Sequence, residues 1–97
     1  ATEWDAILSW YDVLLTVQDT PVVRLARAAA VAERDGSEAG LQCIDEVQGL
    51  DDYPWFHASR AELLARLGRQ QESAEAVHRA GELGMNEAHL RFIARSR

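Results

Sequence analysis

The chain lacks several residue types that would narrow its class. It has one cysteine among 97 residues, so no disulfide can form within it, which fits a reducing cytoplasm. Two prolines and six glycines leave little for a loop-rich fold, and no Val/Ile/Thr alternation is long enough to build a sheet. No apolar run approaches the length of a membrane span, and no signal peptide is visible. There is no lysine: all ten basic residues are arginine, against sixteen acids, for a formal charge of −6. That balance argues against a generic nucleic-acid binder, which needs a basic footprint. The charge is uneven. Residues 1–52 hold eleven acids and three arginines, and residues 53–97 hold five acids and seven arginines, so a solvated surface and a module with one acidic and one mildly basic end both remain open. The start at Ala1-Thr2-Glu3-Trp4, without Met, suggests a piece of a longer protein.

What is present is helix-forming. Ala, Leu, Glu, Arg and Gln dominate, and 47% of residues are apolar, enough for a core in one domain spanning 1–97. Caps and periodicity predict six helices. The first runs from about Glu3 to Val17, with Thr2 as N-cap. The second opens at Thr20-Pro21, an N-cap followed by proline in the first helical position, and ends at Gly36 as a left-handed cap. The third runs from Ser37 to near Gly49, and the fourth from around Asp52–Pro54 to Gly68. The fifth covers roughly Gln70 to Leu83, closed by Gly84, and the last starts at Asn86. Connections this short make successive helices antiparallel hairpins.

The pattern recurs every 33 residues. Pro54 falls on Pro21, Arg60 on Arg27 and Ala61 on Ala28. Leu83, Leu50 and Val17 form one series, and Ala80, Val47 and Leu14 another. Val77, Ile44 and Tyr11 form a third, and Ser73, Gly40 and Ile7 a fourth. Such a repeat is the mark of helical hairpins that bury their apolar faces only by stacking.

No catalytic constellation stands out. His78 and His89 are eleven residues apart with no Cys or carboxylate at a ligand spacing, so these and His57 read as ordinary histidines, and no metal or other cofactor is expected. Asp51-Asp52 precedes a helix and suits its positive end, so capping suffices to explain it. Asp45-Glu46 are adjacent on a helix and so point apart. Cys43 reads as a small core residue, and the dispersed glycines as helix stops rather than a phosphate loop. Arg27 and Arg60 either pair with acids on neighbouring helices or line a groove. The first helix carries two apolar arcs. Trp4, Ile7, Leu8, Tyr11, Leu14 and Leu15 form one, and Trp10, Val13 and Val17, with Ala6, form the other. Either the third helix covers both, or the second arc docks on a preceding part of the parent protein or on a second copy as a homodimer.

The stretch Ala58–Leu83, A-S-R-A-E-L-L-A-R-L-G-R-Q-Q-E-S-A-E-A-V-H-R-A-G-E-L, resembles most of a tetratricopeptide repeat. Gly68 matches its turn glycine, Ser73 its small crossing residue and Ala80 its second alanine. His57 stands where the motif has a bulky aromatic, and Met85 where it has a closing proline. A wider resemblance is carried by W-D-A-I-L-S-W-Y-D-V-L-L, T-P-V-V-R-L-A-R-A-A-A-V-A-E-R-D-G-S-E-A-G-L, A-E-L-L-A-R-L-G-R and N-E-A-H-L-R-F-I. These are similar to the C-terminal tetratricopeptide-like extension of a subgroup of extracytoplasmic-function RNA polymerase sigma factors. That family carries Asn at the position of Ala26. The resemblance implies an all-α fold of antiparallel hairpins stacked as a short right-handed solenoid. It also implies a regulatory protein-interaction role in transcription initiation without enzymatic activity. The partner would be the parent's own sigma domains, RNA polymerase or a separate regulator, with no direct nucleic-acid or membrane binding by this segment. The first helix of each pair would line the binding face, at Pro21–Asp35, Pro54–Leu67 and the start of the last helix. Arg24, Trp55, Glu62, Arg66, Arg91 and Arg95 would supply the contacts. A scaffold or dimerisation module unrelated to transcription is the alternative.

Overall fold

The computed structural model describes residues 3–84; the expected last helix, with Arg91, Arg95 and His89, and the expected cap at Thr2 lie outside the described residues. Among the described residues the protein is all helical, with five helices and no strand: α1 (Glu3–Val17), α2 (Pro21–Asp35), α3 (Ser37–Asp45), α4 (Pro54–Arg66) and α5 (Gln70–Glu82). The chain divides into two compact units, Ala1–Leu50 and Asp51–Arg97.

The starts of the helices obey the sequence repeat. Pro21 and Pro54 open α2 and α4, and Ser37 and Gln70 open α3 and α5, each pair 33 residues apart. Thr20 caps α2 as its sequence promises, accepting the Val23 N–H at 3.2 Å with proline behind it. Other boundaries depart from expectation. Gly36 takes φ 102° and ψ 165°, an extended conformation of positive φ rather than the left-handed helical cap expected. It ends α2 and begins α3 in one residue. Helix α3 stops at Asp45, well before Gly49. The Glu46 and Val47 N–H groups reach back only three residues, to the Cys43 and Ile44 carbonyls, and this tighter turn ends the helix. The N-cap position of α4 is Tyr53, with no side-chain cap bond, so neither Asp51 nor Asp52 caps that helix through its carboxylate. Helix α4 ends as its glycine predicts. The Gly68 N–H bonds the Ala65 carbonyl and the Arg69 N–H the Leu64 carbonyl, a Schellman arrangement with Gly68 at φ 77°.

In the first unit, α2 packs between α1 and α3. Leu8, Ala30 and Val31 form a buried cluster against which Tyr11, Ala39 and Cys43 pack. The α2–α3 crossing is close because Gly40 has no side chain; a Cβ there would overlap Ala32. In the second unit, α4 and α5 form the equivalent hairpin. Ser73 occupies the Gly40 position. Its buried hydroxyl donates to the Ala61 carbonyl at 2.8 Å, so the polar atom enters the core satisfied. Ala80, the expected small contact residue, is fully buried. Two chemistries, a missing side chain and a hydroxyl turned onto the backbone, thus solve the same steric problem one repeat apart.

Candidate protein-interaction surfaces

The α1–α2 contact is laced by charge. Arg27 pairs with Asp12 at 2.8 Å, and Arg34 with Asp5 at 3.0 Å. The acids ascend α1 while their arginines descend α2, seven residues at a time, as antiparallel neighbours require. Arg27 is therefore an inter-helix ion pair, the first of the two roles open to it. Arg34 also clasps Asp35, and hydrogen bonds to Asp35 and then Asp5 raise its guanidinium above its ordinary value, while Arg34 holds the Asp35 carboxyl below its own. The α1 acids in these pairs carry no local sequence signal; only the antiparallel register reveals them.

Of the concave surfaces along α2 in the first unit, two bear on binding. One, of about 220 Å³, is lined by Asp12, Leu15, Arg24, Arg27, Cys43 and Glu46. Its two arginines are both engaged. Arg24 grips Asp19 through two bonds of 2.7 and 2.8 Å, and this hydrogen bonding holds the Asp19 carboxyl below the usual carboxylate range. Cys43 is half-buried there, and burial pushes its thiol up, away from thiolate chemistry. The other is an open, mostly apolar groove of about 390 Å³ between α1 and α2, with walls of Trp4, Ile7 and Tyr11, a floor of Ala26, Ala29 and Ala30, and Glu33 at one side.

Helix α1 leaves much of its apolar surface in water. Only Leu8 is buried, and Tyr11, Leu14 and Leu15 are half-buried. Trp4 and Ile7, expected in the packed arc, are 37% and 36% exposed. Trp10, Val13 and Val17 are 67%, 58% and 81% exposed, so α3 does not cover the second arc. Solvent-facing Leu or Val residues scattered singly are ordinary; a tryptophan and two valines on one side of one helix are a patch.

Among the expected contact residues, Arg24 lies on α2 in the first unit, tied to Asp19. Trp55, Glu62 and Arg66 all lie on α4. Trp55 is 46% exposed, and Glu62 and Arg66 pair with each other at 2.6 Å. Arg91 and Arg95 fall outside the described residues. His57 donates its Nε2–H to the Asp51 carbonyl, 2.8 Å away, and stacks edge-on against Phe56, whereas His78 is exposed. No group of three or more His, Cys, Asp or Glu among the described residues could hold a metal ion, and no described helix is long and apolar enough to cross a membrane.

No known family model matches the chain, and no solved structure does. The chain is similar to an uncharacterized protein of Rhizobium meliloti, 38% identical over 93 residues that make up 95% of this chain and 22% of that protein. The chain thus spans about a fifth of the length of the relative it matches.

Proposed function

We propose that this chain is the tetratricopeptide-like regulatory domain of a bacterial extracytoplasmic-function sigma factor, acting in the cytoplasm as a protein-binding module without catalytic activity. Its hairpins would stack as a short right-handed solenoid, completed by a sixth helix from Asn86. The observation that carries the reading is the exact 33-residue offset between the α2–α3 and α4–α5 hairpins, each with a small residue at its crossing, Gly40 in one and Ser73 in the other. This is how a helical-repeat binding module is built, and its usual trade is the recognition of a peptide or folded domain by exposed helix faces. The link to transcription rests on the sequence resemblance running from Trp4 through the Thr20-Pro21 and Gly36 boundaries to the last residues. The similarity to a segment of a longer bacterial protein is in keeping with it.

The complete open reading frame tests the assignment. Sigma domains encoded upstream of this segment are the expected finding, and their absence would remove the transcription reading while leaving the helical repeat intact. With those domains in hand, in vitro transcription by RNA polymerase and the full-length factor, with and without residues 1–97, should differ in promoter-dependent initiation. Equal output from both would reduce the segment to a scaffold. The exposed Trp10, Val13 and Val17 favour, as second reading, a dimerisation module; sedimentation of the isolated chain as a monomer at all concentrations would dispose of it.

A further inference from the structure

The repeat register shows what the bare side of α1 is for. Shifted by 33 residues, Ile7, Trp10, Leu14 and Val17 coincide with Gly40, Cys43, Val47 and Leu50, and by a further 33 with Ser73, Ala76, Ala80 and Leu83. In α5, Ser73 bonds the backbone of α4, and Ala76 and Ala80 are buried; in the segment of α3, Gly40 meets Ala32 of α2, and Val47 and Leu50 are buried. At both repeats the series begins with a small residue seated on the preceding helix and continues through positions that are buried or half-buried. In α1 three of the four are exposed, Trp10 and Val17 most of all, and only Leu14 is half-buried. Helix α1 is therefore, in its register, a second helix of a hairpin, and among the described residues its first helix is missing.

We propose that this first helix is supplied by the polypeptide immediately preceding residue 1 in the parent protein. It lies antiparallel to α1, against Ile7, Trp10, Leu14 and Val17, and along the groove floored by Ala26 and Ala29.

Three features of the surface describe the occupant. Both hairpins seen here join helices consecutive in sequence, through Gly36 alone or through Leu67-Gly68-Arg69, so the missing helix should end only a few residues before Glu3. The α1 positions hold Ile and Trp where the later repeats hold Gly or Ser and Cys or Ala, so the incoming helix must carry the small side chains, Ala or Gly, on its contact face. The exposed Ala29 and half-buried Ala26 of α2 let the same helix approach closely on its other side. In the Rhizobium relative the matched segment is 22% of the protein, so most of that polypeptide lies outside it. The inference needs only the helical repeat and stands whatever the parent protein does.

The test compares the 97-residue chain with one extended upstream by roughly 20 residues of its parent, a helix and its connection. Both carry Trp4→Phe and Trp55→Phe, leaving Trp10 as the reporter. Iodide should quench Trp10 freely in the shorter chain at all dilutions and several-fold less in the extended chain, with sedimentation showing both to be monomers. Trp10→Glu should leave the thermal midpoint of the shorter chain unmoved and lower that of the extended chain by roughly 5 °C or more. A Trp10 still open to iodide in the extended monomer would overturn the proposal. So would shielding in the shorter chain that disappears on dilution, which would assign the face to a second copy. A Trp10→Glu effect equal in both chains would also sink it, because the domain's own helices would then be covering the site.

Discussion

At the scale of single residues, the protein's fit is tightest where side chains are smallest. Ala80 is fully buried on α5, so Ala80→Leu must force apart a contact that has no room. Such overpacking costs about 1–3 kcal/mol, read as a lowered midpoint in thermal or urea unfolding; an unmoved midpoint would mean that the α5 register is wrong. Gly36 is a different kind of constraint. A Cβ there would meet nothing within 4 Å, yet the backbone sits at φ 102°. Gly36→Ala should therefore destabilise by about 1–3 kcal/mol through backbone strain alone, with no repacking of neighbours to soften it. Both residues could be marked from the sequence, one by its place in the repeat and the other as a helix stop. The conformation of Gly36 could not, because one residue serving two helices at once leaves the same letter as a simple left-handed cap.

At the scale of helices, the starts were legible and the ends less so. Prolines and caps act within one turn, so Thr20-Pro21 and Pro54 announce α2 and α4. The early end of α3 depends on three-residue bonds at Glu46 and Val47, for which no residue type is diagnostic. The face of α1 was only half legible for a related reason. Helical periodicity shows that a helix has two apolar arcs, but burial depends on what lies opposite, and only Leu8 finds full cover. The candidate contacts show the same divide. Glu62 and Arg66 are four apart on α4, and their pairing follows from helical spacing, whereas the Arg24–Asp19 grip spans a helix start and needed the structure. Local ion pairs at the helix ends give the protein its pH dependence. Asp19, Asp35 and Glu72 are held below their ordinary values by Arg24, Arg34 and Arg69. A depressed carboxylate stabilises the fold above its unfolded value, and that contribution is lost as pH falls through the folded one. The melting midpoint should accordingly be flat from pH 7 to about 5 and fall below about pH 4, modestly because these groups are exposed. A midpoint that rises on acidification would reverse the assignment.

At the scale of the whole molecule, electrostatics limits the company this protein keeps. A formal charge of −6, with all three arginines of residues 1–52 engaged by Asp12, Asp19, Asp35 and Asp5, leaves no basic stripe there to track a phosphate backbone. Gel-shift titration with duplex DNA at physiological salt should show no binding below about micromolar concentrations, the range of non-specific association. Submicromolar binding would contradict the charge argument. The single-residue join at Gly36 also governs how this protein can change length. An inserted residue within either neighbouring helix turns every later side chain of that helix by about 100°, and a join of one residue has no slack to turn it back. Leu67-Gly68-Arg69 offers three residues in which an extra one can be absorbed. In the lineage of this protein, insertions and deletions should thus accumulate after α4 and be purged after α2, and a length difference between relatives at position 36 would signal a hairpin rebuilt rather than a loop adjusted.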